Sequence, residues 1–259
     1  MRVLFIGDVV GTQGCDFLCK NLPALKKHIA ADIVIVNGEN SASGNGILPS
    51  GADLILDYGA DLITLGNHAL RRREIYDYLD NENNPIIRPY NYHLSAPGRG
   101  SAVIQKGKFS LGVINMMGSV YMEDIDNPFN YIDSAIAELK NGGCKCILMD
   151  FHAEATGEKR AMGFYVDGKI SAMVGTHTHT PTADEQILPQ GTAYISDVGM
   201  TGPIDSCLGI KKELAIEKMK TLLPVRFENP DTACYMQCVI IDIDEATGLS
   251  QAIERLEIR

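Results

Sequence analysis

The stretch ISAMVGTHTH, residues 170–179, joins an apolar run to two histidines, His177 and His179. The run is typical of a buried strand that ends at Gly175. Because residues i and i+2 of an extended chain point to the same side, the two histidines are expected to face one shared point. An isolated pair of this kind fits two surface histidines in a polar loop equally well. Its meaning therefore depends on the rest of the chain.

Apolar runs alternate with helical patterns along most of the 259 residues. Strand-like runs lie at 2–7, 32–37, 61–66, 85–89, 144–150 and 170–175, and helical periodicity lies at 16–30, 48–58, 73–81, 128–140 and 210–223. This alternation predicts an α/β protein with parallel strand pairs covered by helices. Two hairpins are expected as well, over 101–117 and at the C-terminus with a turn at 246–248. They indicate two sheets packed face to face in a single domain, residues 1–259.

Composition indicates the cellular compartment of the protein. Seven cysteines occur without a C-x-x-C pair, and several lie in apolar runs, as is typical of reduced core thiols in a cytoplasmic protein. The N-terminal MRVLFIGDVVG lacks a small-residue cleavage site and is expected to be a first strand, not a signal peptide. No apolar run reaches the roughly 18 residues that a membrane span needs. We expect a cytoplasmic protein without a membrane partner. These features are compatible with a homo-oligomer.

The formal charge limits the classes of binding partner. It is −10, from 33 acidic and 23 basic residues, and only the segment RRRE at 71–74 is locally basic. Such a surface repels long nucleic acids, which are therefore not expected as partners. A phosphate-ester substrate would need a concentrated positive charge to offset this repulsion, and a metal centre would provide it.

Five of the predicted strands end in polar side chains. Ligands of open α/β sheets bind beyond the carboxyl ends of the strands. The side chains found there are Asp8, Glu39 with Asn40, Asn67 with His68, His152, and His177 with His179. Singly, Asp8 fits a helix N-cap, the asparagines fit turns and His152 fits a buried, hydrogen-bonded histidine. Five coincident strand ends favour a metal site instead, since oxygen and imidazole ligands suit manganese, iron or zinc. With Glu39 as a bridge, two ions about 3.5–4 Å apart can be held.

The segment GDVVGTQG, residues 7–14, allows a competing interpretation as a dinucleotide-binding turn. Its glycines would admit a pyrophosphate at a helix N-terminus. However, Asp8 would place a carboxylate beside that phosphate, and a nicotinamide enzyme has no use for four histidines at strand ends. The metal interpretation is therefore preferred.

The motifs GDVVG, NGEN, GNH, DFHAEAT and GTHTH occur in this order. With them, the sequence resembles the calcineurin-like metallophosphoesterases, and more closely a bacterial subfamily active on 2′,3′-cyclic nucleotides. The similarity extends to SDVGMTGP (196–203) and to the C-terminal VIIDIDE. It implies a four-layer α/β/β/α sandwich in which two central mixed sheets are flanked by helices.

The resemblance also implies a site and a reaction. One metal would be held by Asp8, Glu39, Asn40 and His179, and the other by Glu39, Asn67, His152 and His177. His68 would donate a proton or stabilise charge at the scissile phosphate. The cofactors would be two transition-metal ions, iron first and manganese or zinc as alternatives. The reaction would open small 2′,3′-cyclic nucleotide substrates to monophosphates, with a metal-bridging hydroxide as nucleophile.

The sequence departs from the family pattern at two places. Val10 stands where the superfamily usually has the histidine of Asp-x-His, and Asn40 is expected to replace that ligand. Ala69 stands where many relatives have an acidic residue after GNH, followed here by Leu70-Arg71. Alternatives to the diesterase are a phosphomonoesterase or protein phosphatase at the same site, and a nucleotide-sensing regulator with weak catalysis.

Overall fold

The computed structural model describes residues 1–259 as two β-sheets and six α-helices. The strands are β1 (Arg2–Ile6), β2 (Asp8–Val9), β3 (Ile33–Asn37), β4 (Leu62–Thr64), β5 (Ile86–Ile87), β6 (Ser101–Lys106), β7 (Phe109–Met117), β8 (Cys146–His152), β9 (Ala172–Thr176), β10 (Gln186–Ile187), β11 (Ala193–Ile195), β12 (Met200–Pro203), β13 (Cys234–Ile243) and β14 (Ser250–Ile258). The helices are α1 (Gly11–His28), α2 (Pro49–Asp57), α3 (Tyr76–Asp80), α4 (Ile132–Asn141), α5 (Thr156–Val166) and α6 (Lys212–Thr221). Two 3₁₀ turns, Arg73–Ile75 and Pro128–Asn130, precede α3 and α4.

Both sheets are mixed. The first has the order β2-β12-β13-β1-β3-β4-β5, with β14 paired to β13, and the second has the order β10-β11-β9-β8-β7-β6. Strands β1, β3, β4 and β5 run parallel, as do β7, β8, β9 and β11. The two predicted hairpins are the antiparallel pairs β6–β7 and β13–β14. The parallel runs bring several carboxyl ends to one edge of each sheet.

Side-chain alternation along the strands divides the interior into layers. On β1, Val3 and Phe5 pack between the two sheets, together with Leu148 of β8. Leu4 and Ile6 face the other way and pack with α1, α2 and α3. The outer face of the second sheet packs against α4 and α5. Strands that are buried on both faces alternate between two apolar layers in this way. The predicted four-layer α/β/β/α sandwich is thus confirmed.

Helix α1 and strand β12 depart from the prediction. Helix α1 begins at Gly11 rather than at residue 16, because GTQG forms its first turn and not a loop. Gly14 allows this turn to lie against β12, since a Cβ there would be 2.4 Å from the Thr201 carbonyl oxygen. Strand β12, Met200–Pro203, is not among the predicted strands.

Helix α5 was not predicted. Its buried residues include two charged ones, Glu158 and Lys159, besides Met162 and Val166. A buried face of this composition does not produce an apolar period of 3.6 residues. The charges are tolerated because both side chains have polar partners, Ser119 for Glu158 and the buried Asp197 for Lys159.

Helix α6 is the most exposed of the helices. Only Ala215 is buried, while Ile216 and Met219 face solvent. None of the six helices is sufficiently long and apolar to span a lipid bilayer. All seven cysteines are free, and six of them are buried.

Candidate metal centre

The five predicted strand ends meet where the two sheets come together. Two groups of ligand atoms form there, each with its atoms within 4.8 Å of one another. The first consists of Glu39, His152 and His177, and the second of Asp8, Glu39 and His179. Glu39 belongs to both groups and is fully buried. One carboxylate thus lies between two sets of donors, as a bridging ligand requires.

The two predicted asparagines lie beside these groups. The Oδ1 atom of Asn67 is 3.0 Å from Nε2 of His152, within the first group. Asn40 donates from Nδ2 to Oε1 of Glu39 at 2.6 Å, and the same nitrogen is 3.5 Å from Nε2 of His179. All seven predicted ligands are therefore brought together.

Two buried oxygens of the cluster have no hydrogen-bond donor. They are Oδ1 of Asp8 and Oδ1 of Asn40, both in side chains that are nearly or fully buried. Buried polar atoms are normally satisfied, and an exception in a native fold needs a reason. A cation that binds both oxygens would provide it, so the donor set fits a metal. Asp8 does not cap α1, whose N-cap residue is Val10.

The backbone at the histidine pair is left-handed rather than extended. His177 has φ = 98° and His179 has φ = 60°, so the explanation of their convergence by strand alternation was wrong. Residues without glycine's freedom adopt such angles only where surrounding contacts enforce them. Thr178 provides the contacts, since its backbone N–H and its hydroxyl donate to Oδ2 of Asp197 at 3.1 and 2.8 Å. Lys159 also donates to this oxygen at 2.8 Å.

A chain of buried hydrogen bonds orients His152. The hydroxyl of Thr176 donates to Oδ1 of Asp150 at 2.7 Å, so its oxygen accepts the Nδ1–H of His152 at 2.9 Å. The Nε2 lone pair then points into the cluster, as a metal-binding imidazole needs. Burial raises the pKa of Asp150 to about 7, although hydroxyl and amide donors such as Thr64 oppose the shift.

Glu154, which is not among the predicted site residues, orients His177 in the same way. Its Oε2 is 3.1 Å from Nε2 of His177, while Nδ1 of His177 is 3.1 Å from Nε2 of His152. The carboxylate accepts the Nε2 proton and leaves Nδ1 free as a donor atom. The signal was present in the motif DFHAEAT, where Glu154 lies two residues after His152.

His68 points from Glu39 toward the open side of the cluster. Its backbone N–H donates to Oε2 of Glu39 at 3.0 Å, and its Nδ1 is 3.1 Å from Oε1. Its Nε2 lies 3.3 Å from Nδ2 of Asn45, and Arg72 fixes that loop by donating to the Asn45 carbonyl. Ala69, which directly follows His68, is buried in the core. The carboxylate that orients His68 is that of Glu39.

The electrostatics of the cluster favour a bound cation. Burial, reinforced by the charge of Glu39, raises the pKa of Asp8 well above its usual value. Burial also acts to raise the pKa of Glu39, but contacts with His152 and His68 lower it below its usual value. Burial lowers the pKa of His152 and His177, which keeps both imidazoles neutral and able to bind metal.

A cavity of about 340 Å³ opens over the cluster. This volume is in the range of small-molecule sites. Its lining includes polar side chains, among them Asn45, His68 and Glu154. It also includes apolar side chains, among them Leu208 and Phe227.

The fold and the site together define the class of protein. A protein from Staphylococcus aureus described as a putative 5′-nucleotidase has the same fold at a TM-score of 0.58 and 17% identity, covering 99% of this chain and 54% of that one. The class is an α/β/β/α sandwich with candidate metal ligands at its strand ends.

The chain belongs to the YmdB-like protein family, whose profile matches residues 4–256. A Bacillus subtilis (strain 168) protein named 2′,3′-cyclic-nucleotide 2′-phosphodiesterase is 45% identical over 258 residues, covering 100% of this chain and 97% of that protein. A hypothetical protein from Thermus thermophilus superimposes with a TM-score of 0.93 at 37% identity, covering 100% and 99% of the two chains. A novel phosphatase from Mycoplasma pneumoniae superimposes with a TM-score of 0.92 at 32% identity, covering 100% and 93%.

Proposed function

We propose that this protein hydrolyses 2′,3′-cyclic nucleotides to nucleoside monophosphates at a two-metal site. The observation that carries the proposal is the pair of donor groups that share Glu39 beneath an open cavity. The name of the Bacillus subtilis relative supports the choice of substrate. By analogy with that relative, the bond broken joins phosphorus to O2′, and the product is the 3′-monophosphate.

The residues that would hold the ions follow from the two donor groups. One set is Asp8, Glu39, Asn40 and His179, and the other is Glu39, Asn67, His152 and His177. Bound metal would supply a water of lowered pKa and positive charge for the phosphoryl oxygens. A donor set of carboxylate, carboxamide and imidazole without thiolate suits iron, manganese or zinc.

His68 is the residue of the chain best placed to handle the leaving group. Glu39 accepts from its Nδ1, so Nε2 is turned to the cavity that the substrate would occupy. From there a protonated Nε2 can transfer its proton to the departing ribose oxygen as the bond to phosphorus breaks. Before protonation, the same nitrogen accepts a hydrogen bond from Nδ2 of Asn45, which restrains the ring.

The decisive experiment combines metal analysis of freshly purified protein with a 2′,3′-cyclic AMP hydrolysis assay. We expect close to two transition-metal ions per chain and conversion to the 3′-monophosphate. Asp8→Asn should lose metal and turnover together, because it removes a buried anionic ligand. Failure to bind metal after Fe²⁺ or Mn²⁺ is supplied would refute the proposal.

His68→Ala separates catalysis from metal binding. The variant should keep the metal content of the wild type, since His68 is outside both donor groups. Its kcat on 2′,3′-cyclic AMP should fall by ~10²–10⁴-fold. A kcat equal to that of the wild type would show that His68 has another role.

A second candidate, a phosphomonoesterase, is favoured by the name of the Mycoplasma pneumoniae relative. The same assay decides between the two by following the 3′-monophosphate after it forms. Release of inorganic phosphate at a rate comparable to ring opening would identify a monoesterase.

A further inference from the structure

A group of apolar side chains lines the cavity although it adjoins a charged cluster of candidate metal ligands. The side chains that form this wall are Val10, Leu208, Ile210 and Phe227. Leu208 is 47% exposed and Phe227 is 43% exposed. Large apolar side chains left open inside a polar cavity are typical of a surface that a ligand covers.

The wall is fixed directly to the metal cluster. The carbonyl oxygen of Leu208 is 3.1 Å from Nδ1 of the predicted ligand His179. Asn229 donates from Nδ2 to the carbonyl of Gly209 at 2.7 Å. Gly209 also lies against Val10, since a Cβ there would be 2.4 Å from Cγ1 of Val10. The position of Leu208 is therefore coupled to the position of His179.

Phe227 is held beside Ile210 by contacts between the residues that follow each of them. The backbone N–H of Lys211 donates to the carbonyl of Glu228 at 2.9 Å, and the two side chains form an ion pair at 2.7 Å. These contacts link the residues that follow Ile210 and Phe227 in sequence. One backbone hydrogen bond and one ion pair thus restrain the segment that carries Phe227.

We propose that this apolar wall binds the nucleobase of the substrate, with Phe227 as the stacking residue. The inference rests on the proposed function, which places the phosphate over the metal cluster. A nucleobase is the flat, largely apolar part of a cyclic nucleotide, and its π-face stacks on aromatic rings whatever its identity. The four side chains of the wall have no hydrogen-bonding groups, so it will accept all four bases.

The test compares substrates with and without a base. Wild type and Phe227→Ala are loaded with Mn²⁺ and assayed on 2′,3′-cyclic AMP and on glycerol 1,2-cyclic phosphate, which has the reacting ring but no base. For the variant we expect kcat/KM on 2′,3′-cyclic AMP to fall about ten- to hundredfold. The loss should come mainly from KM, since stacking acts equally on substrate and transition state. Activity on the base-free ester should not change.

Two further variants control for the chemistry and the place of the change. Phe227→Tyr keeps an aromatic face and should retain wild-type kinetics. Met219→Ala removes an apolar side chain that is 74% exposed on α6 and does not line the cavity. It should change the kinetics on neither substrate.

Binding measurements keep this proposal distinguishable from the proposed function. Calorimetry on adenosine 3′-monophosphate and on glycerol 2-phosphate reports base binding independently of the opening of the cyclic ester. If the wild type hydrolyses neither cyclic ester, the proposed function fails. Base binding by the apolar wall would still be established if the wild type prefers adenosine 3′-monophosphate and Phe227→Ala abolishes that preference. The proposal that the wall binds the base is overturned if Phe227→Ala affects ligands with and without a base equally, or affects neither. Dissociation of an oligomer by Phe227→Ala with unchanged nucleotide affinity also overturns it and identifies the wall as an interface between copies.

Discussion

Replacement of Lys159 by methionine is expected to destabilise the protein and to weaken metal binding. Lys159 is 2% exposed and Asp197 is 1% exposed, and their ion pair is 2.8 Å long. Lys159 also donates to the carbonyl of Thr176 at 2.8 Å. Methionine retains most of the side-chain length and removes the charge. Asp197 is then left as a buried anion without a cationic partner.

The magnitude follows from what remains around Asp197. Removing one member of a buried ion pair typically costs about 3–5 kcal/mol. Three donors stay on the carboxylate, namely the N–H and hydroxyl of Thr178 and the N–H of Gly199. They partly compensate the charge, so we expect a loss near the lower bound, about 3 kcal/mol. Because Thr178 lies between His177 and His179, metal affinity should fall as well.

The assay is urea unfolding of the metal-free protein, with metal affinity measured separately by competition with a chelator. Lys212→Met is the matched control, since Lys212 pairs with Asp205 at the surface, where the side chains are 50% and 65% exposed. It should leave both quantities unchanged. The double variant Lys159→Met/Asp197→Asn should recover part of the lost stability, because no charge remains buried. If Lys159→Met behaves like Lys212→Met, the inferred role of the pair is wrong.

Three further predictions concern other parts of the site and its support. Burial acts to raise the pKa of Asp184, but hydrogen bonds from two neighbouring residues leave it below the usual 3.8. The Asp184 carboxylate therefore stabilises the folded state above pH 3.8, and this stabilisation is lost as the pH falls through the lower pKa of the folded protein. The stability of Asp184→Asn, measured by acid unfolding with circular dichroism, should depend less on pH below about 4. Gly66→Ala should lose metal, since its Cβ would lie 2.2 Å from Nε2 of His152; unchanged metal content would contradict this. Glu154→Ala should lower metal affinity about 10–100-fold through His177, whereas an exposed substitution such as Met219→Ala should not.

The ligand types and their places on strands could be predicted from local sequence. Each ligand follows an apolar run, and the carboxyl ends of parallel strands meet at one edge of a sheet. The parts of the fold that were not predicted depend on contacts with residues far away in sequence. Helix α5 went unrecognised because Lys159 and Glu158 are buried through partners far away in sequence. The helical pattern does not include the first turn of α1, because glycine stands at position 14, where the helix contacts Thr201.

Sequence alone determined which chemistry the site can perform: carboxylates, carboxamides and imidazoles at five strand ends, without thiolate. It also determined the layered α/β architecture, since apolar periodicity is a local property. Only the tertiary structure decided that Glu39 joins two donor groups, that His177 and His179 converge through left-handed backbone, and that Phe227 forms a wall of the same cavity. These features depend on how two sheets and a distant loop pack together. No local pattern encodes that packing, because its contacts join residues far apart in the chain.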